Sequence, residues 1–193
     1  RHVQTGRARR PILVHQLQGG ADLTQGFSDT AFTPPAAGRG QFTVARPALR
    51  LSYMPDAAFT PSLEASTQLA SAALPQAEQV VLGGDNQRAF EPGTAAGDQG
   101  WSARATVKHR RMALGWLSVE PQLFAEYGAA RFRDPSAGSE GTAERAAVGL
   151  EASVKLARFL ELNAFVAEPI HSAGPSLLAD DERRLGGRVT ITW

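Results

Sequence analysis

The chain contains no cysteine, which removes disulfide staples, thiolate metal sites and a cysteine nucleophile. It has no run of eighteen apolar residues, so no transmembrane helix is expected. Charge of one sign is also lacking. Twenty Lys and Arg stand against nineteen Asp and Glu, a net charge of +1, so nothing draws the chain to nucleic acid as a partner. The enzyme signatures are missing as well: there is no Gly-x-Ser-x-Gly, no His-Glu-x-x-His and no phosphate loop. His2, His15, His109 and His171 fall in four separate segments, which suggests no catalytic residue, no metal and no cofactor. Asp180, Asp181 and Glu182 read as a solvated charge run. No leader segment is visible and the chain begins at Arg1, so it is expected to be a mature product or a piece of something longer.

What the chain does have is alternation. From Trp101 the odd positions run Trp101, Ala103, Ala105, Val107, and the even ones Ser102, Arg104, Thr106, Lys108. From Leu117 the odd set is Leu117, Val119, Pro121, Leu123, Ala125, Tyr127, against Ser118, Glu120, Gln122 and Glu126. Ala146, Val148, Leu150, Ala152 and Val154 alternate with Arg145, Glu151, Ser153 and Lys155. A period of two places these sets on opposite faces of strands. The pattern predicts about eight antiparallel strands: Pro11–Thr24, Gln41–Tyr53, Ser62–Ala73, Trp101–Arg110, Leu117–Arg131, Ala143–Leu156, Leu160–Glu168 and Leu185–Trp193.

The connections alternate in length. Met54–Pro61, Arg111–Trp116 and Ala157–Phe159 are short; Ser28–Gly40, Gly83–Gly100, Phe132–Thr142 and Pro169–Arg183 are long. Short turns at one end and long loops at the other characterise an outer-membrane barrel. Tyr53, Trp116, Phe159 and Trp193 would then lie near the inner headgroup layer, and Trp101 and Phe132 near the outer one. The apolar face is rich in Ala, Val and Leu, which suits lipid better than a densely filled core. The charged face, with Arg46, Arg50, Glu64, Arg104, Lys108, Glu126, Glu151 and Arg188 among others, would line a wet lumen. The expected fold class is all-β, an antiparallel transmembrane β-barrel of outer-membrane type.

The stretch "LGGDNQRAFEPGTAAGDQGW" is more specific. It resembles the signature of two-partner-secretion outer-membrane transporters of the haemolysin-activator type. The family pattern has a Gly-Gly, then Val-Arg-Gly-Phe/Tyr, then Gly-Asp-x-Gly opening the next strand. Here these positions read Gly83-Gly84, Gln87-Arg88-Ala89-Phe90 and Gly97-Asp98-Gln99-Gly100. Gln87 and Ala89 depart from it. The resemblance implies that residues 83–100 fold into the barrel as a plug, and that Arg88 meets a carboxylate from a Phe-x-Asp-x-Gly strand. Phe124-Ala125-Glu126-Tyr127-Gly128 occupies that place, with Glu for Asp. Alternation independently puts Phe124, Glu126 and Gly128 on the polar face. The expected clamp is therefore Arg88 with Glu126, and Phe90 beside it. The closing stretch "RRLGGRVTITW" is similar to the terminal strand signal of such barrels, carried by Val189, Ile191 and Trp193, which the barrel-assembly machinery reads.

The resemblance implies more about the whole. Residues 1–193 would be the C-terminal half of a sixteen-strand barrel, with no POTRA domain in this chain. Its partners would be outer-membrane lipid, the assembly machinery and a secreted exoprotein, threaded unfolded through a pore gated by the loop. Three other readings stay open: an insertase of the same superfamily, a small self-closed membrane barrel, and a soluble β-sandwich binding module.

Overall fold

Each long strand pairs antiparallel with its neighbour in the chain. The computed structural model describes residues 2–6, 14–28, 40–54, 58–84, 87–133, 141–156, 160–175 and 183–191. Its strands are β1 (His2–Gly6), β2 (Val14–Ser28), β3 (Gly40–Met54), β4 (Phe59–Ala70), β5 (Val80–Leu82), β6 (Ala95–Gly97), β7 (Gln99–His109), β8 (Met112–Leu114), β9 (Leu117–Arg131), β10 (Thr142–Leu156), β11 (Leu160–Ala173) and β12 (Arg184–Ile191). The main sheet runs β1-β2-β3-β4-β7-β9-β10-β11-β12, with β8 folded back on β9, while β5 and β6 form a separate hairpin. Among the described residues, no pairing joins β1 to β12, so the sheet is open.

This pairing sends consecutive connections to alternate ends. The turns after β3, β7 and β10 lie at one end. The connections after β2, β4, β9 and β11 lie at the other, so long loops and short turns are sorted as expected.

Boundaries differ from the sequence reading in several places. The first long strand runs Val14–Ser28 rather than Pro11–Thr24, and the third begins at Phe59 and stops at Ala70. The short turn after β7 contains β8, a small extension of the β9 ladder. β11 passes through Pro169 to Ala173, instead of ending at Glu168. A register shift opposite Ala146 and Ala147 accommodates the proline, which has no N–H to donate. β1 carries no alternation, since Val3 is its single apolar residue.

Register fixes the two faces. Leu123 pairs with Leu150, Val119 with Val154, Leu162 with Val189 and Leu160 with Ile191. Leu123, Leu150, Val189 and Ile191 are exposed on the apolar face. On the other face Arg50, Glu64, Arg104 and Glu126 stand in register across β3, β4, β7 and β9, alternating in sign. Arg50 and Glu64 are 3.2 Å apart, and Arg104 and Glu126 are 2.7 Å apart. Trp193, Phe159 and Asp180–Glu182 lie outside the described residues.

Three small cores sit on the charged face at the long-loop end. They are Phe42, Val44, Ala70 and Leu74; Leu82, Ala95, Ala130 and Ala143; and Ala89, Phe90, Phe124, Ala147 and Ala167. Each packs loop residues against the sheet. The wall beneath is paved with alanine and glycine, which lets a second layer of chain approach closely.

The membrane reading makes Leu123, halfway along β9, a mid-depth lipid contact. Leu123→Arg is expected to destabilise the inserted full-length barrel by about 2–4 kcal/mol, whereas Gln122→Arg on the opposite face costs far less. Denaturant unfolding in phospholipid vesicles checks the contrast; equal effects would contradict the facing.

Candidate functional site: the loop on the charged wall

The loop is built as a tight knot. Its base is the β5–β6 hairpin, with Leu82 opposite Ala95. Gly84 N–H donates to Phe90 O at 2.9 Å, and Phe90 N–H to Gln87 O at 3.1 Å. Gly83, Gly84 and Gly93 have φ of 98°, 66° and 86°, a region that side chains resist. A Cβ on Gly83 would also strike the Glu91 carbonyl. The Gly-Gly of the sequence motif is therefore what lets the chain double back.

The knot places Gln87, Ala89 and Phe90 in full burial against β9, β10 and β11. Gln87 Nε2 donates to Arg145 O at 2.9 Å. This close approach depends on Gly128, where a Cβ would stand 2.6 Å from Gln87 Nε2 and 3.0 Å from Leu82 Cδ2. Ala89 packs its methyl among Phe90, Phe124, Ala147 and Ala167. Phe90 lies under the Arg145 guanidinium, 5.9 Å from it, a favourable cation–ring geometry. Arg145 Nη1 donates to Glu144 O and Ala173 O, both at 2.8 Å.

Arg88 differs from the expected clamp. Its guanidinium pairs with Glu151 on β10, Nη1 to Oε2 at 2.5 Å, and does not pair with Glu126. It sits between the Phe124 and Phe165 rings, 5.1 and 5.3 Å from their centroids. Glu126 instead accepts the Arg88 backbone N–H at 2.7 Å. Its other oxygen forms an ion pair with Arg104 at 2.7 Å. The physical reason is register. Arg104 stands directly opposite Glu126 on β7 and occupies its carboxylate. The main chain of Arg88 already reaches Glu126, so the long side chain extends one strand further. Gln122 Nε2 holds Glu151 Oε2 from the side at 3.1 Å.

The two rings that grip Arg88 lie across glycines. Phe124 is in register with Gly149 and Phe165 with Gly186, and a Cβ on either glycine would collide with the ring. Glu151, Arg104, Arg145, Phe165, Gly149 and Gly186 were absent from the sequence-level site. The run of small residues on the charged phase of β10 and β11 (Ala143, Ala147, Gly149, Ala167) was the available signal.

The Gly97-Asp98-x-Gly100 segment fastens the exit of the loop. Asp98 is buried and accepts Leu74 N–H and Arg133 N–H, each at 2.8 Å. Gly97 lies on the Arg131 main chain, where a Cβ would be 2.5 Å from its carbonyl oxygen. Gly100 lies equally close to Ala129 O, at 2.6 Å. The entrance is fastened separately. Arg46 donates to Gln68 Oε1 at 2.8 Å and to Glu78 Oε2 at 2.7 Å. Val189 and Ile191 of the terminal strand are on the apolar face, remote from the loop in register. Among the described residues, no group of three His, Asp or Glu side chains could hold a metal.

The family model described as haemolysin secretion/activation protein ShlB/FhaC/HecB matches residues 13–155, more than half of the chain. The chain belongs to this family. It is also similar in structure to CdiB from Escherichia coli, with a TM-score of 0.73 and 19% identity over 93% of this chain. It spans 33% of the length of the CdiB chain. A search of curated proteins gives no match. The family is one of outer-membrane β-barrel transporters, not enzymes. The fold is accordingly a transmembrane barrel segment of the outer membrane, its apolar face toward lipid and its charged face toward the lumen.

Gly128 offers a test of how the loop is seated. Gly128→Val in the full-length protein is expected to lift Gln87 and Leu82 off β9, at an overpacking cost of about 1–3 kcal/mol. Limited proteolysis should then cut within 83–94 faster than in the wild type, while the barrel stays resistant. Unchanged cleavage would contradict the close approach.

Proposed function

We propose that this chain is the C-terminal barrel region of an outer-membrane pore that passes an unfolded secreted exoprotein, with the Gly83–Gly100 loop as its gate. One observation carries the reading. The loop is held on two strands by one residue, through the Arg88 N–H on Glu126 and the Arg88 guanidinium on Glu151. Gln87, Ala89 and Phe90 are wholly buried beside it. A loop that served only as an external receptor would have little reason to bury its central residues against the lumenal wall.

Transport of this kind needs no chemistry from the wall, only a passage and a stop. The wall suits passage because its charges are paired with one another. Besides the Arg50–Glu64 and Arg104–Glu126 pairs, Lys155 and Glu161 lie 3.1 Å apart, and Lys108 and Glu120 lie 3.8 Å apart. Paired charges offer a polar surface on which an extended chain finds no strong electrostatic trap. The stop is the loop, and its position is set by Arg88.

Arg88→Ala in the full-length transporter is expected to leave insertion intact and to abolish or strongly reduce secretion. Glu151→Gln should have a milder effect, since the amide keeps a hydrogen bond and loses the charge. Leaving either charge uncompensated costs about 3–5 kcal/mol when the pair is buried, and the double exchange Arg88→Glu with Glu151→Arg should recover part of the loss. Secretion of the exoprotein into culture medium, normalised to barrel content, is the measurement. Wild-type secretion from Arg88→Ala would sink the gating role.

A further inference from the structure

The lipid-facing surface carries a groove at the long-loop end, between the tips of β4, β7 and β9. Its volume is about 240 Å3, and Thr67, Leu69, Gln99, Trp101, Ala129 and Arg131 line it. These six, with Thr142, are on the apolar phase of their strands, while Gln68, Gly100 and Ala130 on the other phase complete the lining, so the groove opens chiefly toward the membrane. The order along the strands is informative. Thr67, Trp101 and Ala129 stand in one row. Arg131 and Gln99 pair with each other in the next row outward. Below Trp101 the Tyr127 ring stacks on it at 5.0 Å, and below that the face is aliphatic. From the bilayer outward the sequence is thus hydrocarbon, aromatic, cation, which is the polarity profile of a headgroup layer.

Arg131 has no carboxylate partner among the described residues. Its guanidinium donates to Gln99 Oε1, from Nε at 3.3 Å and from Nη2 at 3.0 Å. Arg133 stands beside it with Nη1 on Ala70 O at 2.9 Å. The same carbonyl accepts Gln99 Nε2 at 3.0 Å, so the Gln99 amide links the two arginines, with Arg131 on its oxygen and Arg133 sharing the acceptor of its nitrogen. Neither arginine forms an ion pair among the described residues. Of the described carboxylates nearby, Asp98 accepts two backbone amides, and Glu144 accepts Tyr127 Oη at 2.6 Å, with His171 3.6 Å away. On the lumenal face Arg46, Arg50, Arg88, Arg104, Lys108 and Lys155 each have a carboxylate partner. Arg131, which lines the groove, and Arg133, two residues further along the chain, have none among the described residues.

We infer that this groove binds an anionic, phosphate-bearing lipid of the outer leaflet. Its phosphate lies on Arg131 and Arg133, and an acyl chain runs down past Leu69 and Trp101. Arginine is suited to the first task by its planar fork. Exposed Leu69 and Trp101 supply an apolar wall continuous with the lipid-facing surface. The inference rests on the outer-membrane location and is independent of the loop's gating role.

The test uses the full-length transporter in phosphatidylcholine vesicles doped with bisphosphorylated lipid A or with the same glycolipid stripped of both phosphates. Native mass spectrometry after detergent extraction reads the lipid retained. Wild-type protein is expected to retain the phosphorylated form with a preference of about tenfold or more, the scale set by two basic residues at an anionic surface. Arg131→Gln with Arg133→Gln should remove the preference, and Arg131→Lys with Arg133→Lys should keep much of it. Equal retention of the two lipids by the wild type overturns the inference without any variant. A preference that survives the glutamine double variant places the site elsewhere and also overturns it. Displacement of the lipid by millimolar inorganic phosphate would make this a soluble-anion site and reject the lipid assignment. Secretion is not the readout, so a failure here leaves the gate untouched.

Discussion

A guanidinium taken out of water must find a carboxylate and flat surfaces to lie between, and the loop is organised around meeting that demand for Arg88. Its side chain is only 20% exposed. Ionic compensation comes from Glu151 and cation–ring contact from Phe124 and Phe165. Those rings can lie down only because Gly149 and Gly186 stand opposite them. The small residues Gly128, Ala130, Ala143, Ala147 and Ala167 then bring the loop backbone near enough for the side chain to reach. Desolvation of one cation thereby accounts for the composition of a whole patch of barrel wall.

The same logic explains why the motif carboxylate has a different role from the one its sequence position suggests. Glu126 lies in a row where charges alternate strand by strand, and Arg104 claims it by register. What remains of its accepting capacity goes to the Arg88 amide. The loop's main chain and side chain are thus bound to different strands, β9 and β10. Two attachments on neighbouring strands define an orientation as well as a position, which a single ion pair would not.

Much of this was legible in the sequence. The alternation of Leu117–Ala129 and Ala146–Val154 places both faces correctly, because a period of two survives any error at strand ends. Gly83-Gly84, Arg88, Phe90 and Asp98 all lie where the motif suggests a built loop. The partner of Arg88 was not legible. Choosing between Glu126 and Glu151 depends on which residue of β7 faces β9, and residue types alone do not fix inter-strand register. The extension of β11 through Pro169 escaped for a related reason: the residue that forbids a regular ladder is absorbed by a shift in pairing. The contact of Arg131 with Gln99 was also invisible, since it is defined by what lies around it in space.

The fastening of the loop at both ends limits how far it can travel. Arg46 and Gln68 hold Glu78 ahead of it, and Asp98 is pinned by Leu74 and Arg133 behind it. Between them only the segment 83–94 is free of the β5–β6 ladder, with Gly83, Gly84 and Gly93 as its swivels. Fully drawn out, that segment measures about 40 Å, so as a loop tethered at both ends it reaches about 20 Å from its base. That is shorter than the roughly 30 Å hydrocarbon thickness of a bilayer. It behaves as a leash and not a hinge. While its fastenings hold, the tip is at nearly its full reach: Arg88 meets Glu151 level with Gln122, near the middle of the strands, and the tether leaves it little further to go toward their far ends.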